Sequence, residues 1–279
     1  MKRVLPDEPH WITLPEALDA WETGDGSGIR IAVLDSGVDT SHPAFEGFQL
    51  RDDIAISMVD GVPVVTGGEG SDSYGHGTGV AHVLHTVAPK AEIGSFRVLG
   101  SGEKGGGEGD VVREGVMLAM EKGYHILNCS FGITGSFFGS DRKLRFVEQN
   151  KVWLDEAYLR GIHVVSACNN YDSRCIEWPG HFANSITVDK VNCGTDEFFY
   201  RPGGLVEFAA KGYGVTVPWA GNAWKTVDGS SFAAPRVAGW LARLLSVYPF
   251  LTPPQVKGLL RHIALERPYL HQQSRRRRG

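Results

Sequence analysis

Along the chain, short apolar runs rich in Val and Ile alternate with segments whose apolar positions recur at helical spacing. Continuous apolar runs suit strands buried on both faces, and their alternation with helices suits a parallel sheet covered on two sides. The pattern predicts strands over 29–34, 92–99, 125–129, 162–167 and 185–191. Helices are expected over 15–21, 77–86, 110–121, 146–159, 231–247 and 254–262. Asp110 is placed to cap the third helix, and Thr252 ahead of Pro253 and Pro254 opens the last. No internal repeat or dividing linker is visible. The expectation is one α/β domain over 1–268, a three-layer α/β/α fold with a mainly parallel central sheet, followed by a flexible basic tail over 269–279.

Composition narrows this picture. With 279 residues, 42% of them hydrophobic, the chain can bury a large core without covalent staples. A net charge of −4 recommends neither nucleic acid nor an anionic membrane as partner. No run is long and apolar enough to span a bilayer, and the opening residues lack the apolar core of a secretory signal, so a cytoplasmic location is expected. Secretion would require that a signal and a prosegment had been removed. Cys129, Cys168, Cys175 and Cys193 lack paired C-x-x-C spacing, so no zinc site is expected. Cys129 reads as a buried strand residue, and a loop bridge between Cys168 and Cys175 stays open.

Candidate chemistry starts at DGSSFAAP, residues 228–235, where two serines stand at the threshold of an apolar helix. Both fit caps, but Ser231 would also sit in the first turn, where free N–H groups favour an anion. A nucleophilic serine needs a base, a group orienting that base, and oxyanion donors. Asp35 ends an apolar strand, where functional groups gather in α/β sheets, although Asp before Ser-Gly also suits a turn. His76 lies between glycines at a helix start, with His82 and His85 inside the helix as packing or surface residues. Asn170, ending another strand in VVSACNN, offers an amide donor, while Asn169 beside it keeps a plain turn in play.

IAVLDSGVDTSHP, GHGTGVA, NCSFG, VVSACNN and DGSSFAAPRVAG occur in the order found in subtilisin-like serine proteases, and the chain resembles that family from 11 to about 264. The Asp, His, Ser order is that already described for subtilisin. The resemblance implies Asp35 orienting the imidazole, His76 as general base and then acid, Ser231 as nucleophile, and Asn170 with the Ser231 N–H as oxyanion donors. It also implies substrate edges at Ser130, Phe131 and Gly132 and at Leu99 and Gly100, with Gly105, Gly106 and Gly107 loosening the second edge. Gly79 replaces the family's usual His after GHGT, a calcium-binding loop beyond it is missing, and Ala44 replaces a customary Asp, so no metal is expected there. No other cofactor is expected, and the inhibitory prosegment that the resemblance places ahead of a segment like WITLPEALDAW is expected either to have been removed or never to have been part of this enzyme.

An extended peptide or protein substrate would add a strand to those edges, leaving selection to side-chain pockets. By the resemblance, Glu177 in CIEWPGHF lies at the base of the pocket for the residue before the cut, which points to cleavage after Arg or Lys. Asp72, Glu103, Glu108 and Asp110 would extend the preference to a second basic residue. The tail SRRRRG reads as a solvated run or as a processing site. Endopeptidase is the leading reading, with a transpeptidase or macrocyclase and a peptide-binding pseudoprotease as the alternatives.

Overall fold

The computed structural model describes residues 11–72, 74–100, 109–134 and 141–266. A nine-stranded sheet forms the middle layer. Its strands are β1 (Arg30–Asp35), β2 (Asp53–Val59), β3 (Val62–Gly67), β4 (Glu92–Arg97), β5 (Ile126–Cys129), β7 (His163–Ala167), β9 (Ser185–Val191), β10 (Phe198–Tyr200) and β11 (Phe208–Lys211). Their order is β10-β11-β9-β7-β5-β1-β4-β2-β3. Only the two edge pairings, β10 with β11 and β2 with β3, are antiparallel. Two small ribbons accompany it: β6 (Ile133–Thr134) pairs with β8 (Glu177–Trp178), and β12 (Val215–Trp219) pairs with β13 (Ala223–Val227).

Helices cover both faces, as the alternating pattern requires. Ile31 and Val33 of β1 face a core built with α1 (Leu14–Thr23), α2 (His76–Val87), α5 (Ser230–Val247) and α6 (Pro253–Glu266). Ala32 and Leu34, the alternate residues, face a second core with α3 (Gly109–Glu121) and α4 (Asp141–Leu159). Trp21, Trp240 and Phe198 interlock in the first core, with ring centroids 5.1 to 5.6 Å apart. No described helix is long and apolar enough to cross a membrane.

The strands expected from continuous apolar runs are all present, and each expected helix exists with ends moved by a few residues. Asp110 does not cap α3. That helix already includes Gly109, and Asp110 instead accepts a hydrogen bond from Gln149 Nε2 at 2.8 Å. Thr252 does open α6, with its N–H and hydroxyl both donating to Gln255 Oε1. The glycines 105–107, Glu103, Glu108, the domain boundary at 268 and the tail lie outside the described residues.

For the site, the important feature is the neighbourhood of β1. It lies between β4 and β5, which the chain reaches in opposite directions from it, so a crevice opens beyond the carboxyl ends of these strands. Asp35 is the last residue of β1, Ser130 follows β5, and Asn170 follows β7.

Candidate active site

Asp35 is fully buried and His76 opens α2 across the crevice from it. His76 Nδ1 lies 2.8 Å from Asp35 Oδ1 and 3.0 Å from Oδ2, so Nδ1–H donates to the carboxylate and Nε2 is left as the lone-pair nitrogen. Burial by itself would push the imidazole pKa down. The Asp35 charge and hydrogen bond, joined by the Asp72 charge, outweigh burial and the opposing Lys225, and the pKa rises above the usual histidine value.

Ser231 lies in the first turn of α5 and is 8% exposed. Its neighbour Phe232 packs against the imidazole with centroids 5.1 Å apart. Among the described residues, no hydrogen bond joins His76 Nε2 to Ser231 Oγ. Such contacts commonly tighten only when substrate binds. Gly229, the cap residue, has no side chain to cover the helix end, and the Ser231 N–H meets no acceptor among the described residues.

Asn170 is fixed by Ser230. Its Oδ1 accepts from the Ser230 N–H at 2.8 Å and lies 3.1 Å from Ser230 Oγ, which also donates to the Cys168 carbonyl. Because an N–H requires an acceptor, the amide oxygen faces Ser230 and the exposed residue presents Nδ2 outward. Ser230 is therefore not a cap, as its position suggested, but the anchor of Asn170 inside the helix. Asn169 takes the turn role: its Oδ1 accepts from the N–H groups of Tyr171 and Asp172. Asn169 thus makes the turn, while Asn170 is held by Ser230.

The same Asn169 donates from Nδ2 to Glu177 Oε1 at 3.1 Å. Glu177 is 9% exposed, and a Cβ added at Gly132 would lie 2.7 Å from its Oε2. The pairing of β6 with β8 thus brings Gly132 and Glu177 together. Burial raises the Glu177 pKa against the pull of Asn169, and no cationic side chain among the described residues offsets it. Ser130 contributes its side chain inward, its hydroxyl donating to the Ser231 carbonyl at 2.9 Å while accepting from Asn128 Nδ2. Phe131 is half-buried against the second core. Leu99 is tied to the site by its N–H, which donates to the Asp35 carbonyl, and Gly100 is exposed.

Asp72 does not reach toward substrate: it is 7% exposed, and its carboxylate is occupied by donors from Ser36, Tyr74, Gly75 and Thr78. Cys168 and Cys175 are both free, one buried and the other exposed, so no bridge closes their loop. Ser36 and Thr78 were missed as supporting residues, since polar residues beside a strand end or in a helix start look like ordinary turn formers. As for calcium, Ala44 offers only a methyl group, and no cluster of three or more His, Cys, Asp or Glu side chains suited to a metal occurs among the described residues. The side chain present at position 44 does not fit the ion.

The sequence profile of the Subtilase family matches residues 26–278. Subtilisin Savinase of Lederbergia lenta is 29% identical over 249 residues, covering 86% of this chain and 84% of the relative. Thermitase of Thermoactinomyces vulgaris is 28% identical over 243 residues, covering 83% and 80%. A solved cold-adapted subtilisin-like serine proteinase matches with a TM-score of 0.66 at 27% identity, over 86% of this chain and 83% of that one.

Proposed function

The chain belongs to the subtilase family and is a serine endopeptidase of the subtilisin type, and from that premise we propose that Asp35, His76 and Ser231 carry its acyl transfer, with preference for Arg or Lys before the cut. The observation that carries the reading is the contact at 2.8 Å between the buried Asp35 and the half-buried His76, facing a helix turn whose Ser231 N–H is unpaired among the described residues. Asp35 holds the tautomer that leaves Nε2 basic. Nε2 takes the Ser231 hydroxyl proton as Oγ attacks the carbonyl carbon of the peptide, and the imidazolium then gives that proton to the departing amine. Charge developing on the carbonyl oxygen is met by the Ser231 N–H and by Asn170 Nδ2, donors that need no rearrangement at the moment of reaction. Water, deprotonated by the same imidazole, releases the acyl group.

Glu177 supports the basic preference. Its carboxylate is largely removed from water, has one oxygen held by Asn169, and meets no cation of the chain among the described residues. A guanidinium or ammonium on the substrate would supply that partner.

A fluorophosphonate probe and a peptide panel varying only the residue before the scissile bond test both parts. The expected result is modification at Ser231 in the wild type and none in Ser231→Ala, with faster turnover of Arg and Lys peptides than of Leu or Phe. Folded wild-type protein that does not label contradicts the triad. Product masses distinguish water from an amine as the acyl acceptor, and a ligated or cyclised product in place of the free acid would replace hydrolysis with transpeptidation.

A further inference from the structure

His76 is the first residue of α2, so its position depends on how that helix begins. The first-turn N–H groups of any helix need partners, which a cap side chain normally provides. Here the cap position is Gly75, in the left-handed region at φ 101°, with no side chain to offer. A Cβ there would lie 2.6 Å from the Ala220 nitrogen and the Trp219 ring, so no capping residue fits.

The partners come from elsewhere. The Gly77 N–H donates to Ser36 Oγ at 3.0 Å, and the Thr78 N–H donates to Asp72 Oδ2 at 2.9 Å. Asp72 also accepts from Thr78 Oγ1 at 2.7 Å, from the N–H groups of Gly75 and Tyr74 at 2.7 and 3.0 Å, and from Ser36 Oγ at 2.9 Å. Ser36 directly follows Asp35, and its own N–H donates to Asp35 Oδ1 at 2.8 Å. One hydrogen-bonded chain therefore runs from the carboxylate that orients the imidazole to the chain on both sides of it. We propose that Asp72, acting with Ser36, is the positioning residue that fixes His76 against Asp35, a role that rests on the triad reading above.

Five donors converge on this one carboxylate, which accepts on both oxygens. A carboxamide in its place would turn a donor toward a donor, either at Thr78 or at Ser36 and Gly75. Asp72 also acts through its charge. The charged groups facing His76 are Asp35 from β1, Asp72 from the loop before α2, and Lys225 from β13; the two carboxylates favour the imidazolium and Lys225 disfavours it. Replacing Asp72 thus alters both where the imidazole sits and how firmly it holds a proton. A residue that only stabilised the fold would leave the second property unchanged.

The test is fluorophosphonate labelling rate, together with kcat and kcat/KM across pH, for wild type, Asp72→Asn and Ser36→Ala. Asp72→Asn is expected to lose about 10- to 100-fold in kcat and labelling, the scale for a reacting group misplaced by about 1 Å. Its acid limb of kcat/KM moves to lower pH, because that limb reports proton loss from His76 and a favouring anion has gone. Ser36→Ala loosens the geometry but keeps both charges, so its rate falls with the limb in place. Wild-type rates in Asp72→Asn, or lost rate with an unmoved limb, overturn the proposal. A limb that moves as far in Ser36→Ala overturns the assignment to the carboxylate. If Asp72→Asn does not fold, Thr78→Val carries the test: reduced kcat with unchanged KM supports the role, and wild-type kcat overturns it. Folded wild-type protein that fails to label at Ser231 removes the triad reading, and the Asp72 role with it.

Discussion

Glu177→Gln isolates the charge at the base of the proposed pocket while leaving its shape. The glutamine keeps an oxygen for the Asn169 amide, which lies 3.1 Å from Oε1 in the wild type. A substrate guanidinium about 4 Å from the carboxylate, at an effective dielectric of about 20, gains about 4 kcal/mol of Coulomb energy. Part of this is offset by taking the guanidinium out of water, and removing one partner of a desolvated charge pair costs about 2–5 kcal/mol. A loss of about 2–3 kcal/mol in selectivity corresponds to a fall of about 30- to 160-fold in the Arg-to-Leu ratio of kcat/KM. The ratio is the quantity to measure, because the protonation state of His76 affects both substrates equally and cancels. Its pH dependence then reports Glu177 alone. The Glu177 pKa is raised by burial above the ordinary carboxylate value, so the Arg preference is present above that pKa and fades as pH falls through it. Paired peptides differing only before the cut, assayed with active-site-titrated enzyme, give the ratio. A wild-type ratio at or below unity, a ratio unchanged in Glu177→Gln, or one flat through the acid range would refute the reasoning.

Three further outcomes are expected. Asn170→Ala should lower kcat with little change in KM, by the factor of about 10²–10³ known for this kind of donor in subtilisin; a wild-type kcat would remove Asn170 from the oxyanion site. Gly77→Ala should destabilise the fold by about 1–3 kcal/mol and slow fluorophosphonate labelling, because the added Cβ would lie 2.2 Å from the Gly37 carbonyl and 3.1 Å from Asp35 Cβ; chemical denaturation and labelling kinetics both matching the wild type would contradict this. Under native conditions a thiol reagent should modify Cys175 first, leaving Cys129 and Cys168 until unfolding, since both are buried with raised pKa values; peptide mapping that finds Cys168 modified as fast as Cys175 would contradict the burial.

The central sheet was legible because β1, β4, β5, β7 and β9 lie between two helical layers and are buried almost throughout, which concentrates apolar residues in them. The outer hairpin was not. Val62 and Val65 of β3 are exposed, and its companion β2 ends in half-buried and exposed residues, so neither face supplies a clean run. Its turn at Asp60 and Gly61, both with positive φ, was the available signal. The ribbon of β12 and β13 was hidden in the same way, with β13 almost wholly exposed. At the site, Asp35, His76, Asn170 and Ser231 stood out because each stands at or just beyond a strand end or in the first turn of a helix. Asp72 was misread because a carboxylate near a histidine looks the same in sequence whether it faces solvent or backbone N–H groups. Only the turn through Gly75 decides that direction.

The bare end of α5 bears on any effort to make a hardier variant. A Ser, Asp or Asn at a helix threshold commonly adds about 1 kcal/mol of stability, and Gly229 would be an obvious place to install one. Its first side-chain carbon would lie 2.7 Å from Ser231 Oγ, and the new oxygen would compete for the amide hydrogen left open beside it. Thermal reinforcement therefore has to be sought elsewhere in the fold, because here the gap in the architecture is where the reaction happens.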